Sequence, residues 1–211
     1  MKRDDIDLQA LRGSGEQVQA LQFPYARSQD QDAAQPVRHA VVVIGAGPVG
    51  LSAAIDLAQR GQRVLLLDND DRLSFGSRAL CFAKRTLEIW DRLGVGQPMV
   101  DKGVSWNVGK VFFQDQQVYQ FNLLPEAGHQ RPAFINLQQY YCEAYLVERA
   151  LQLPGLEIRW HNTVKGVAPR GDGATLTVGT PEGDYAIDAD WVVACDGSRS
   201  PMRGLMGLES K

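Results

Sequence analysis

The apolar positions of this chain change rhythm along its length. Residues 1–37 are polar, rich in Gln, Asp and Arg, show no sustained period and run into Pro36. That texture predicts an extension lying on the surface or disordered, with a short helix near Ile6–Leu11. From Val37 the pattern tightens. Ala40–Ile44 is an unbroken apolar run and predicts a buried strand. Leu51, Ala54, Ile55 and Ala58 recur at helical spacing on one face, and Gly61 ends that helix. Val64–Leu67 predicts a second strand apolar on both faces, as strands of parallel sheets are. Together they form a strand–helix–strand unit, whose crossover is right-handed.

Further on, Ala83–Leu93 reads as a helix with Leu87 and Trp90 inward and Gly94 as its cap. Val111–Phe113 and Tyr119–Leu123 flank Asp115-Gln116-Gln117, which predicts an antiparallel hairpin with Tyr119, Phe121 and Leu123 on one face. A long helix is expected from about Leu137 to Leu151, stopped by Pro154-Gly155. Tyr140, Tyr141 and Tyr145 on it read as core packing. Leu156–Trp160 predicts a strand. Thr175–Val178 and Tyr185–Ala189 alternate about Pro181-Glu182-Gly183-Asp184 as a second hairpin, and Trp191–Ala194 reads as a last buried strand.

Composition narrows the class. The chain has 211 residues, 22 basic and 25 acidic, a net charge of −3 that gives no footing for nucleic acid or an anionic membrane. Cys81, Cys142 and Cys195 are far apart and form no CxxC pair, which fits a reducing cytoplasm. Cys81 and Cys195 are expected as small buried residues. His39, His129 and His161 lack ligand spacing, so no metal is expected. The N-terminus lacks the apolar core of a signal peptide. Ala40–Ile55 is uncharged but shorter than the ~20 residues of a membrane span, and glycines and a proline interrupt it.

The candidate chemistry starts at Gly45-Ala46-Gly47-Pro48-Val49-Gly50, a GxGxxG hexad placed between strand and helix. Gly45 allows the tight turn, Gly47 removes a side chain that would block a pyrophosphate, and Gly50 lets helix and strand approach. The helix N-terminus then offers N–H groups and partial positive charge to phosphates. Asp68 closes the second strand, where a carboxylate accepts hydrogen bonds from ribose hydroxyls and repels a 2′-phosphate, disfavouring NADP in this site. The alternative is an exposed acid at a strand end. This motif does not separate NAD from FAD, since both carry ADP.

Near the C-terminus, WVVACDGSRSPMR (Trp191–Arg203) runs from a strand into Asp196-Gly197 and a helix start. With the glycine hexad, Asp68, and Ser77-Arg78-Ala79-Leu80 ahead of AKRTLEIWDRLG, it resembles the class A FAD-dependent aromatic monooxygenases similar to para-hydroxybenzoate hydroxylase, above all the hydroxyphenylpropionate hydroxylase branch. The resemblance spans roughly residues 37–208. It implies an α/β fold: a Rossmann-like FAD/NAD(P)-binding domain over 38–211, with a parallel sheet plus antiparallel hairpins, interrupted at about 101–130 by a hairpin of an incomplete substrate domain.

The resemblance also implies site roles. Gly45, Gly47, Pro48 and Gly50 form the turn around the FAD pyrophosphate, and Asp68 holds the adenosine ribose. Arg78 reaches the phosphate–ribose region of the flavin, or is a solvated loop arginine. Gln139 lies near the cofactor, or is a helix cap. Asp196 lies near the pyrophosphate and the route of the nicotinamide, or is a plain Asp–Gly turn. Arg199 and Arg203 hold this turn or steer NAD(P)H. The implied reaction is reduction of FAD by NAD(P)H, addition of O2 to give a flavin hydroperoxide, and hydroxylation of a small phenolic substrate. A homo-oligomer is compatible with this.

One departure from the family pattern is expected to matter. Family members continue well past the Asp-Gly motif, complete the substrate domain and add a second, Gly-Asp motif; neither is present in these 211 residues. The chain therefore reads as the N-terminal FAD-binding part, with a substrate pocket short of walls and exposed apolar patches. Two other readings remain: a different FAD-dependent oxidoreductase, and a non-catalytic nucleotide-binding fragment that needs a C-terminal partner. The missing cysteine pair excludes a disulfide reductase.

Overall fold

A computed structural model describes residues 8–76 and 78–208. In chain order the elements are α1 (Leu8–Leu11), α2 (Gly15–Ala20), a 3-10 turn (Gln29–Asp32), β1 (Val37–Ile44), α3 (Pro48–Gln59), β2 (Val64–Leu67), β3 (Cys81–Ala83), α4 (Lys84–Leu93) and α5 (Gly96–Lys102). They continue with β4 (Val104–Trp106), β5 (Val108–Phe113), β6 (Gln116–Asn122), β7 (Phe134–Asn136), α6 (Gln139–Ala150), β8 (Leu156–Arg159), β9 (Thr163–Arg170), β10 (Gly173–Thr180), β11 (Gly183–Ala194) and α7 (Pro201–Leu205).

The main sheet has the order β8-β2-β1-β11-β10-β9. Its first four strands are parallel, and β10 and β9 follow antiparallel. Register decides where the site falls. Ile44 of β1 lies level with Leu67 of β2 and with Ala194 of β11, and Leu67 lies level with Arg159 of β8. Four strand ends therefore finish along one line. The chain leaves β1 toward β2 on one side, while β11 lies on the other, so the strand order reverses beside β1. Open α/β sheets bind ligands at such a point.

Strand periodicity splits the core into two layers. Val41, Val43, Val64 and Leu66 pack on one face with Leu51, Ala54 and Ile55 of α3 and Ala144, Leu146 and Val147 of α6. Val42, Ile44, Leu65 and Leu67 face the other way, against Leu176, Val178, Ile187 and Met202. Each fully buried Leu or Val contributes ~1.5–3 kcal/mol relative to exposure. The helix α4 ends as its sequence requires, at Gly94 with φ +87°.

Several expectations need correcting. Residues 8–36 do not simply lie on the surface: Leu11, Val18 and Phe23 are buried in the core, because α1 and α2 pack against α6 and Phe23 stacks on Trp160. The expected helix is seen over Leu8–Leu11, and Ile6 lies outside the described residues. Trp191–Ala194 is not a separate buried strand. It continues β11, and β10 stops pairing at Ala174–Ala189, so Trp191 is 73% exposed. Cys81 is exposed, because its neighbour Phe82 takes the inward position on β3; Cys195 is half-buried and Cys142 fully buried.

The β5–β6 hairpin is present with a two-residue turn at Gln114-Asp115, Gln114 at φ +52°. Tyr119 and Phe121 share a face, with ring centroids 5.8 Å apart. Val111, Phe112, Phe113, Tyr119 and Leu123 of this hairpin remain exposed.

Candidate functional site: the cleft at the carboxyl ends of the parallel strands

The glycine turn is built against β2 and β11. The Gly45 N–H donates to the Leu67 carbonyl at 2.8 Å, and the Cys195 N–H donates to the Ile44 carbonyl at 2.8 Å. Gly45 sits at φ +101°, and a Cβ there would stand 2.5 Å from the Cys195 carbonyl oxygen. A Cβ on Gly50 would overlap the Gly45 carbonyl. Both positions therefore need glycine for packing reasons alone.

Gly47 is different. Its φ of −74° is ordinary, and a Cβ there would meet nothing within 4 Å. No internal packing demands glycine at this point; the space in front of it is open cleft. Gly47 is also the N-cap of α3, with no side-chain cap and Pro48 at the first helical position. The N–H groups of Gly47, Val49 and Gly50 cannot be met by carbonyls one turn earlier in the helix. Bare amides, a helix positive end and room for a bulky group suit a pyrophosphate.

Asp68 stands beside the turn at the end of β2. One carboxylate oxygen accepts from the Ala46 N–H, and the other accepts from the Asp70 N–H at 2.7 Å. A carboxylate has about four acceptor sites, so two remain for ribose hydroxyls. Burial pushes this carboxyl above its ordinary range, and the two backbone donors offset part of that.

Two hollows share Gly47, Asp68 and Asp70 in their linings. One, about 470 Å³, is lined by Gly45, Asp196, Arg199 and the Asn162–Val164 segment that follows β8. The other, about 430 Å³, is lined by Arg78, Gln139, Glu143, Ser74 and Trp160. The structure thus places Gly45 and Asp196 on the first hollow, Arg78 and Gln139 on the second, and Gly47 and Asp68 on both. Pro48 and Gly50 line neither and shape the turn from behind. Ser77 lies outside the described residues.

The side chains show how each is held. Asp196 accepts from the Ser200 hydroxyl at 2.7 Å and from the Met202 N–H at 2.9 Å, so it fastens the start of α7 while lining the cleft. Arg203 donates to the Ser198 carbonyl and so also serves this turn. Gln139 is the first residue of α6. Its amide donates to Glu143 at 2.7 Å and accepts from the Ala79 N–H at 3.2 Å, tying the Arg78 loop to the helix. Arg78 is exposed.

Glu143, Asn162 and Trp160 were not singled out from sequence. Glu143 is buried and accepts from the Ser74 N–H at 2.6 Å and from Gln139. Burial pushes its carboxyl up, against the pull of those donors. The available signal was its spacing: Glu143 lies one helical turn from Gln139. Asn162 and Trp160 follow the end of β8, the position where cleft residues collect in parallel sheets.

A parallel sheet with its ligand cleft at the strand ends, a bare helix N-terminus behind a GxGxxG turn and an acid on the next strand defines a dinucleotide-binding protein. Comparison with known proteins narrows this. Residues 38–211 match the family described as FAD binding domain, and the chain belongs to that family. It is 32% identical over 173 residues to the 12-dehydrotetracycline 5-monooxygenase/anhydrotetracycline 6-monooxygenase of Streptomyces rimosus, covering 82% of this chain and 33% of that protein. It is 27% identical over 168 residues to the 3-(3-hydroxy-phenyl)propionate/3-hydroxycinnamic acid hydroxylase of Mycolicibacterium smegmatis, covering 80% and 30%. The solved p-nitrophenol 4-monooxygenase PnpA of Pseudomonas putida DLL-E4 superposes with a TM-score of 0.78 at 29% identity, over 83% of this chain and 45% of that one. The chain spans about a third of the length of the curated relatives it matches. Among the described residues, no helix is long and apolar enough to cross a membrane.

Proposed function

We propose that this chain is the FAD-binding part of an NAD(P)H-using hydroxylase of a small phenolic or related aromatic compound. One observation carries the cofactor reading: Gly47 opens onto a hollow at the bare N-terminus of α3 where an added Cβ would meet no protein atom, with Asp68 and Asp196 lining the same hollow. The residues present fit FAD. Gly45, Gly47, Pro48 and Gly50 shape the turn that receives its pyrophosphate, and Asp68 accepts from its adenosine ribose. Arg78 balances phosphate charge from the second hollow, and a guanidinium does this with a bidentate contact. Gln139 orients the Arg78 loop, and Asp196 holds the Gly197–Arg199 turn over the cleft, with Arg199 as a further cation.

Bound FAD supplies the redox and oxygen chemistry. This chain's own residues bind it, orient it and shed water from its phosphates. The aromatic substrate class is inferred from the names of the relatives, which include a 3-(3-hydroxy-phenyl)propionate/3-hydroxycinnamic acid hydroxylase and a p-nitrophenol 4-monooxygenase. The same reading includes O2 as co-substrate, NADH or NADPH as reductant, and a cytoplasmic setting. It also includes the β5–β6 hairpin as part of a substrate domain and allows a homo-oligomer through its exposed apolar face.

The test is spectroscopic. The purified chain mixed with FAD and passed through gel filtration is expected to co-elute with flavin bands, and NAD(P)H oxidation stimulated by phenolic acids reports the hydroxylase. Elution of all flavin apart from protein would remove the cofactor reading.

A further inference from the structure

We propose that residues 14–32, which precede the FAD-binding family match at 38–211, are a brace that positions one wall of the cofactor cleft, with Phe23 as its key positioning residue. The proposal rests on the FAD reading above and adds to it a part of the chain outside the family match. Phe23 is 1% exposed and stacks on Trp160, ring centroids 4.2 Å apart and planes 9° from parallel. Trp160 lines the hollow that also holds Asp68, Arg78 and Gln139. Its indole Nε1 is buried without a hydrogen-bond partner among the described residues.

Backbone contacts extend the brace to the loop after Asp68. The Phe23 N–H donates to the Asp71 carbonyl at 2.6 Å, and the His161 N–H donates to the Asp70 carbonyl at 3.2 Å. The loop around Asp70 and Asp71 is therefore clasped between residue 23 on one side and residue 161 on the other. The brace is anchored at both ends. Ahead of it, Arg12 pairs with Glu148 of α6. At its far end Asp30 accepts from the buried Arg159 at 2.7 Å and lies 2.8 Å from His39 Nε2, while Arg27 pairs with Glu182 at 2.5 Å. A segment needed only for solubility would not bury Val18 and Phe23 and clasp the loop that follows the ribose-binding acid.

Amide hydrogen exchange and FAD titration on the full 211-residue chain test this, with Phe23→Ala and with Phe23→Leu, which keeps most of the buried volume. In Phe23→Ala, exchange at Asp70–Gly76 is expected to accelerate about tenfold while β1 and β2 hold their protection, and the FAD Kd to rise by a similar factor. Phe23→Leu is expected to stay within about threefold of the unaltered chain on both readouts. Unchanged exchange at Asp70–Gly76, acceleration spread equally over β1 and β2, or an unchanged Kd would overturn the brace. Absence of FAD binding by the unaltered chain would instead overturn the cofactor reading, and the exchange comparison would still judge the brace.

Discussion

The α-carbon of Gly50 lies so close under the carbonyl of Gly45 that a methyl group at Gly50 would overlap that oxygen and come within 3.2 Å of the Cys195 side chain. Helix α3, strand β1 and strand β11 therefore meet at one point with no slack. Gly50→Ala is expected to cost ~1–3 kcal/mol of stability, as overpacking does, and to weaken FAD binding with it. Urea denaturation checks the first part. An unchanged midpoint would mean that the turn relaxes freely.

Asp68 is engaged twice by backbone donors, from Ala46 and from Asp70. In Asp68→Asn one of those donors faces an amide NH2 instead of an oxygen. The expected cost is ~1–3 kcal/mol. Loss of the negative charge should also narrow the preference for ADP over its 2′-phosphorylated form, by about tenfold. Competition titrations with the two nucleotides measure this, and an unaltered preference would argue against the ribose role.

Arg159 is buried, its side chain 5% exposed, and it donates to Asp30 and Glu157 at 2.7 Å and to the Tyr185 hydroxyl at 3.1 Å. Removing Asp30 leaves a buried guanidinium with less compensation. Asp30→Ala is expected to destabilise the chain by about 3 kcal/mol. A thermal melt that moves by less than a degree or so would show that Glu157 and Tyr185 suffice.

Two carboxyls titrate with opposite consequences. Burial raises Glu143 above its ordinary value, so in the window between the two values the native state holds a proton that the unfolded chain has released. Its contribution is full on the acid side and is lost as pH rises through the raised value. For Asp30, burial opposes ionisation, but His39 and Arg159 outweigh it and the carboxyl stays below its ordinary value. Its contribution is present above the unfolded value and is lost as pH falls through the lowered one. Stability curves between about pH 3 and 8 should therefore diverge in opposite senses when Glu143→Gln and Asp30→Asn are each subtracted from the parent. Parallel difference curves would contradict the assignment.

Much of this was legible in the chain. The periods of Ala40–Ile44, Leu51–Ala58 and Val64–Leu67 name the strand–helix–strand unit, and the Gly45–Gly50 spacing marks the turn, because backbone geometry forces those residue types. The Phe23 position was not legible. Phe23 and Tyr25, the two aromatics of that polar stretch, set no period, and the meaning of Phe23 depends on Trp160, more than a hundred residues away. Trp191 misled in the opposite sense: an apolar run reads as buried, but only tertiary pairing tells that β10 ends at the level of Ala189. Glu143 was hidden because a buried acid on a helix is written in the same letters as an exposed one.

The central claim is that the cleft in front of Gly47 receives the FAD pyrophosphate, and Gly47→Ala addresses it directly. The added Cβ meets nothing in the protein, so the variant should fold and melt like its parent. Titration of both proteins with FAD, followed by flavin absorbance and fluorescence, is the measurement. The expected result is saturable one-to-one binding by the parent, weakened by about tenfold or more in the variant at unchanged melting temperature. Equal FAD affinity in the two proteins would contradict the account.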